Sequence, residues 1–306
     1  MSTRAGRDGL RARLQAGPVL LLDGGLGSSL IERGLAAGMA PDAWNLERPA
    51  DVAAVHRSFV EAGSEAIHAN TFGGNRIRLA RAGLAGRSGE VNAAAVALAR
   101  GAGAAFVIAD LGPTGEYLPP VGAGDPEAWA AAFLEQAKVL IDAGVDGIHL
   151  ETMSDLREAQ IGLAAVRALS VDLPVLASLT VERKKRGFFT VMGDPLVPAL
   201  QALRGAGADV VGANCTLGSA DFRALAEEAL SAGLPVVLQP NAGQPEVAAG
   251  RVVYRQTPEA FANDLAAVLA LSGDGGGRIA AVGGCCGCDA RFVAALCRRI
   301  PGAPSP

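Results

Sequence analysis

Three stretches of the chain read as one phrase: "EAGSEAIH" at residues 61–68, "DAGVDGIH" at 142–149 and "GAGADVVG" at 205–212. In each, an Ala-Gly pair closes one segment and a short apolar run opens the next. Glycine can take the left-handed turn that ends a helix without a Cβ clash, so the phrase predicts helix, turn and buried strand. Working outward, runs of strand length fall at 19–23, 65–70, 105–110, 145–151, 174–180, 209–214, 235–240 and 278–282. Stretches with helical periodicity lie between them at 50–62, 126–143, 155–169, 195–205, 219–232, 258–271 and 289–300. Pro126, Pro195 and Pro258 stand where a first helical turn belongs, and Ser154 and Ser219 are candidate N-caps. Eight strands alternating with helices in 306 residues predict an α/β fold, a (β/α)8 TIM barrel. The rival, an open doubly wound sheet, carries G-x-G-x-x-G after its first strand, and "DGGLGSS" at 23–29 lacks that spacing. One domain is expected over residues 1–306, with tails at 1–17 and 302–306 and a glycine-rich loop at 273–277.

Half of the residues are hydrophobic and 19% are charged, which excludes a mainly disordered chain. The 27 Lys and Arg against 31 Asp and Glu give a net charge of −4, which argues against nonspecific nucleic-acid binding. No apolar run nears the roughly 18 residues that cross a membrane. The arginine-bearing residues 1–17 have no apolar stretch of the secretory kind. Five cysteines, an odd number, then argue for a reducing, cytoplasmic setting.

In a barrel of this kind the site lies at the C-terminal ends of the strands. Those ends carry Asp23, Gly24 and Gly25; Asn70 and Thr71; Asp110; Glu151 and Thr152; Asn214 and Cys215; Gln239 and Asn241; and Cys285 and Cys286. Three cysteines thus converge from two strands. Three thiols suit zinc with a fourth position open to a substrate. Zinc would hold a substrate thiol as the nucleophilic thiolate. Against this, Cys215 is 70 residues from Cys285, and adjacent cysteines also occur as small core residues or as a vicinal disulfide. Cys288 and Cys297 read as structural.

"GANC" at 212–215 and "GGCCG" at 283–287 resemble the zinc motifs of the homocysteine S-methyltransferase family, and "DGGLGSSL" at 23–30 resembles its opening motif. "ANTFGGNRIRL" at 69–79, "LGPTGEYLPP" at 111–120, "ETMSDLREA" at 151–159 and "QPNAGQP" at 239–245 resemble further family blocks in the same order. The resemblance covers about residues 23–296 and implies the same barrel fold. It implies that Cys215, Cys285 and Cys286 bind one Zn²⁺, and that Asp23 and Glu151 hold the amino group of L-homocysteine. Carboxylates at two strand ends suit an ammonium group. An Asx turn at Asp23 and a helix-start contact at Glu151 are the structural alternatives. Backbone N–H groups from Gly24 and Gly25 are candidates for the substrate carboxylate, and Asn214 for orienting a cysteine.

The implied activity is a zinc-dependent methyl transfer to homocysteine, giving L-methionine. A methyltransferase for another thiol, or a non-catalytic zinc- or thiol-binding barrel, are the alternatives. Family donors are betaine or sulfonium compounds, or methyl-cobalamin on a corrinoid protein. The chain resembles both the homocysteine domain of cobalamin-dependent methionine synthase and bacterial betaine-type members. A cobalamin donor would have to arrive on a separate protein. A homo-oligomer is compatible with the sequence. Asp110 stands where the family often has a small residue, and Ala69 where it often has threonine. His149, two residues before Glu151, is expected on the same side of its strand. His68 falls at another strand end. The basic loop 181–192, with Phe188 and Phe189, reads as a solvated charge run or a surface touching donor or partner.

Overall fold

Near the start of each repeated phrase the chain turns through a left-handed glycine: Gly63 (φ 102°), Gly144 (φ 91°) and Gly207 (φ 109°). The helix before each turn is Pro49–Glu61, Pro126–Ala143 or Leu196–Gly205. A buried strand follows each. The computed structural model describes residues 4–36, 38–248, 251–271 and 277–300. Its main sheet has eight strands: β1 (Leu20–Leu21), β2 (Ala66–Ala69), β3 (Phe106–Leu111), β4 (Gly147–Met153), β5 (Val175–Leu179), β6 (Val210–Gly218), β7 (Pro235–Asn241) and β8 (Arg278–Val282). Each of the eight expected runs forms its strand. All pairings are parallel, from β2 through β3, β4, β5, β6, β7 and β8 to β1. The seam between β1 and β2 is bridged where Glu65 N–H donates to Leu21 O at 3.0 Å. Helices surround the sheet, so the architecture is the (β/α)8 barrel expected.

The barrel interior is layered by chemistry. At its N-terminal end Leu20, Ala66, Ile108, Leu176, Val210 and Val237 pack together. Residues 1–17 depart from the tail expected there: Arg4–Ala16 is a helix that plugs this end with Leu10 and Leu14, both buried. Arg13 pins the plug, with Nη2 donating to both Glu65 oxygens at 2.7 and 2.9 Å. A Cβ on Gly147 would lie 2.8 Å from Leu10 Cδ2, so β4 begins on glycine where the plug enters. Two leucines four residues apart among arginines make too thin a stripe to stand out in the sequence. Helix Ser88–Arg100 was also not legible, because its buried face is largely Ala95 and Ala99 beside Val91 and Val96. Residues 302–306 and 273–276 lie outside the described residues.

The caps differ in detail from expectation. Helix Leu156–Leu169 is capped by Asp155, whose side chain accepts from Arg157 N–H, not by Ser154. Pro195 sits one position early, as the N-cap of its helix. Ser219 opens a 3₁₀ turn and donates instead to Asp264 at 2.6 Å. Asp155→Ala is expected to cost about 1 kcal/mol, read as a Tm lower by roughly 2 °C. An unchanged melting curve would show that this cap does not hold the helix. Among the described residues no helix is long and apolar enough to cross a membrane.

Candidate active site

At the opposite end of the barrel the interior turns polar. Asp23, His68, Asp110, His149, Glu151, Ser178, Asn214, Gln239 and Asn241 are all buried there. β6 brings Cys215, and the loop after β8 brings Cys285 and Cys286. Their sulfur atoms all lie within 4.8 Å of one another. Cys215 Sγ and Cys286 Sγ are 3.9 Å apart. All five cysteines are free thiols, so Cys285 and Cys286 do not form the vicinal disulfide. Cys288 and Cys297 are buried outside the cluster, as a structural role requires.

The backbone around the thiols is held from several sides. Cys215 (φ 60°) and Thr216 (φ 57°) are left-handed, a conformation that costs non-glycine residues roughly 1–2 kcal/mol each. The register of β6 against β7 shifts at this point, between Asn214 and Gly218. A hydroxyl contact between Thr180 and Thr216 secures the bend. Cys285 N–H donates to Pro240 O at 2.8 Å, and Ala242 N–H to Cys286 O at 3.0 Å, so the end of β7 carries the cysteine loop. From β1, Gly25 N–H donates to Cys288 O at 2.8 Å. A Cβ on Gly24 would lie 2.2 Å from that same carbonyl oxygen. Gly24 and Gly25 therefore let two backbones meet.

The sulfurs share charge. Cys215 accepts from the Cys285 and Cys286 thiols, which pulls its own thiol down to about 3. Donating to Cys215 pushes Cys286 up to about 12 and Cys285 well up. The cluster thus holds one thiolate across three soft donors. Tyr254, half-buried beside Cys286, hydrogen-bonds to that sulfur, and burial raises its phenol. Asn241 reaches Cys215 in the same way. Tyr254 carried no sequence signal, because it follows β7 at a distance and enters only through the fold.

Asn214 links the thiols to the acids. Its Nδ2 donates to Glu151 Oε1 at 3.0 Å and to Thr152 Oγ1 at 2.7 Å, and lies 3.7 Å from Cys285 Sγ. Its Oδ1 accepts from Thr152 N–H at 2.8 Å, where Thr152 is itself left-handed (φ 58°). His149 and Glu151 lie buried on the same side of β4, and Asn214 lies between Glu151 and Cys285. Burial raises the Glu151 carboxyl. Burial and then the charge of Glu151 push the Asp110 carboxyl well above its usual range. Asp110 Oδ1 is buried with no partner among the described residues.

Asp23 is engaged differently. Its Oδ2 accepts from His68 N–H at 2.8 Å and its Oδ1 meets His68 Nδ1 at 2.7 Å. His68 Nε2 then meets His149 Nδ1 at 3.0 Å, and His149 Nε2 meets Ser178 Oγ at 2.7 Å. Burial alone would lower His68, but the charge and hydrogen bond of Asp23 raise it. Burial and the neighbouring His68 drop His149 well down, so it is neutral. Asp23, His68, His149 and Ser178 thus form one buried hydrogen-bonded chain. The basic loop forms a hairpin, Glu182–Lys184 with Gly187–Phe189, that buries Phe188 and leaves Arg183 and Lys184 in solvent.

Comparison with known proteins agrees with this geometry. The homocysteine S-methyltransferase family profile matches residues 20–300. Methionine synthase of Mycobacterium tuberculosis is 32% identical over 256 residues, covering 79% of this chain and 21% of that protein. Methionine synthase of Mycobacterium leprae is 29% identical, covering 79% and 20%. The chain thus spans about a fifth of the length of these relatives. The metallated form of the homocysteine methyltransferase MmuM from Escherichia coli superposes with a TM-score of 0.74 at 25% identity, over 95% of this chain and 99% of that one. With a family match across nearly its whole length and the cysteine cluster in place, the chain belongs to the homocysteine S-methyltransferase family.

Proposed function

We propose that the chain transfers a methyl group to the thiol of L-homocysteine, giving L-methionine, at a zinc site made by Cys215, Cys285 and Cys286. One observation carries this reading: a buried carboxylate and one of the three clustered thiols meet on a single amide nitrogen. Asn214 Nδ2 lies 3.0 Å from Glu151 Oε1 and 3.7 Å from Cys285 Sγ. A ligand bridging them needs a cation at one end and a soft donor a few bonds away, which describes an amino-acid thiol.

The donor set fits zinc. Tetrahedral Zn–S bonds of about 2.3 Å place sulfurs about 3.8 Å apart. Cys215 and Cys286 stand at 3.9 Å. Three protein sulfurs also leave a fourth position open. Bound there, zinc would keep the substrate sulfur as a thiolate at neutral pH. The chain's own residues do the rest. Glu151 draws in the substrate ammonium. Asn214 fixes Glu151 relative to the cysteines. The barrel wall then aligns sulfur with the incoming methyl carbon. As the new S–C bond forms, the bond from carbon to the donor breaks, and the thiol proton leaves to solvent.

The donor is either a methyl-corrinoid protein or a betaine or sulfonium compound; the methionine synthase relatives support the first. Incubating zinc-loaded protein with homocysteine and each donor class in turn tests the reading. Methionine is expected from one class and from none after the zinc is removed. No methionine from any donor, with homocysteine bound, would favour a different thiol acceptor or a non-catalytic barrel.

A further inference from the structure

We propose that the two hairpins after β5 and β7 form a docking rim for an acidic protein that presents the methyl group to the cysteine cluster. The inference rests on the methyl-transfer reading above and selects, between its donor classes, the one carried on a protein.

The first hairpin pairs Glu182–Lys184 with Gly187–Phe189 and turns through Lys185 and Arg186. It places four consecutive cations, Arg183 to Arg186, in solvent on a chain whose net charge is −4. Arg183 lies 4.0 Å from Asp221, and Lys184 meets Glu182. Lys185 and Arg186, at the tip, have no ion pair among the described residues. Phe188, 2% exposed, anchors the hairpin in the core, and its N–H donates to Glu228 at 3.3 Å. The positive tip is thus held in place, so a partner binding it has little chain to order.

The second hairpin pairs Glu246–Ala248 with Arg251–Val253. Val247 and Val252 stand opposite each other in its register, 81% and 60% exposed. Side chains this bare add little to folding and gain only when something covers them. Tyr117 and Val121 after β3, and Val191 beside the first hairpin, are exposed in further strand-end loops. Asp221, after β6, joins the two hairpins: Arg183 approaches it from one, and Gln244 Nε2 donates to it at 3.5 Å from the base of the other. The second hairpin runs directly into Tyr254, which hydrogen-bonds to Cys286. The rim is therefore continuous with the cysteine cluster.

A small donor inside the mouth would leave these side chains bare, and a protein laid across it would cover them. An apolar centre with a charged edge is the make-up of a protein–protein interface. The tip sets the sign of the partner: an acidic face is attracted and steered in. A sulfonium donor, itself a cation, gains nothing from this charge. With a methyl-corrinoid on the partner, the S–C bond forms as the cobalt–carbon bond breaks. The bonding pair stays on cobalt and the thiol proton leaves to solvent.

The test gives the zinc-loaded full chain homocysteine and methylcobalamin, and reads kcat/KM for methionine. The methylcobalamin is either free or loaded on the cobalamin-binding module of a cobalamin-dependent methionine synthase. The loaded module is expected to be the better donor. Reversing the tip, Lys185→Glu with Arg186→Glu, should lower kcat/KM for the module at least about tenfold at low salt. The loss should vanish in roughly 1 M salt, where the Debye length is about 3 Å; that recovery also shows that the variant is folded. Val247→Ser with Val252→Ser should lower kcat/KM for the module in low and high salt alike. Turnover of free methylcobalamin should match the parent in both variants. Module turnover untouched by the tip reversal, or a loss equal to that for free methylcobalamin, overturns the docking rim and leaves the methyl-transfer reading standing. Methionine from a betaine or sulfonium compound and from neither form of methylcobalamin overturns the rim too, with homocysteine still the acceptor. No methionine from any donor overturns both.

Discussion

Cys215→Ala is expected to abolish methyl transfer while leaving the barrel folded. The cysteine supplies one of the three sulfurs clustered among the described residues, and the other two sit on a separate loop after β8. It also carries the negative charge that the Cys285 and Cys286 thiols stabilise. Apparent zinc affinities at sulfur-rich sites are about 10–16 kcal/mol over four ligands, so losing one should weaken zinc by at least about a hundredfold. Without the metal a substrate thiol near its ordinary pKa is mostly protonated at neutral pH. The fold should tolerate the change. Cys215 is already left-handed, and alanine adds no further steric demand at the same backbone. Cys215→Ser keeps the size but presents a hard oxygen where a soft donor is needed, and should also lose zinc. Metal content after dialysis, methionine formation and circular dichroism on one preparation check all three points. Near-normal turnover in the alanine variant would remove Cys215 from the essential set.

The fold was legible because the chain marks its own boundaries. An Ala-Gly pair before Ala66, before Gly147 and before Val210 announces a strand, and the first residue after each left-handed glycine is already on its way into the sheet. The cysteines were legible through position, since the ends of β6 and β8 must face the same mouth. What was not legible depends on contacts made far along the sequence. His68 reaches back 45 residues to Asp23 and forward 81 to His149. No local pattern distinguishes that chain from three unrelated buried polar groups. The N-terminal plug is similar: Leu10 and Leu14 acquire meaning only when Gly147 leaves room for them. Asp23 and Gly25 show the same lesson in the site. Their partners lie far along the chain: Asp23 accepts from His68 N–H, and Gly25 N–H donates to Cys288 O.

Glu151→Gln is expected to weaken homocysteine binding by roughly tenfold to a hundredfold, the range for losing one charge-assisted hydrogen bond. Zinc should stay. The glutamine oxygen can still accept from Asn214 Nδ2, which keeps Asn214 against Thr152 and Cys285. Binding is reduced without being abolished, because a second carboxylate, Asp23, is buried at the same end of the barrel. The effect should be confined to ligands with an amino group, so 4-sulfanylbutanoate should bind as before. Titration of the zinc-loaded variant with each ligand, beside a metal assay, separates the outcomes. Unchanged homocysteine affinity with full zinc would take Glu151 out of the substrate pocket. Loss of zinc along with thiol binding would mean that Glu151 acts through Asn214 to hold the cysteines, and the ammonium would then depend on Asp23 alone.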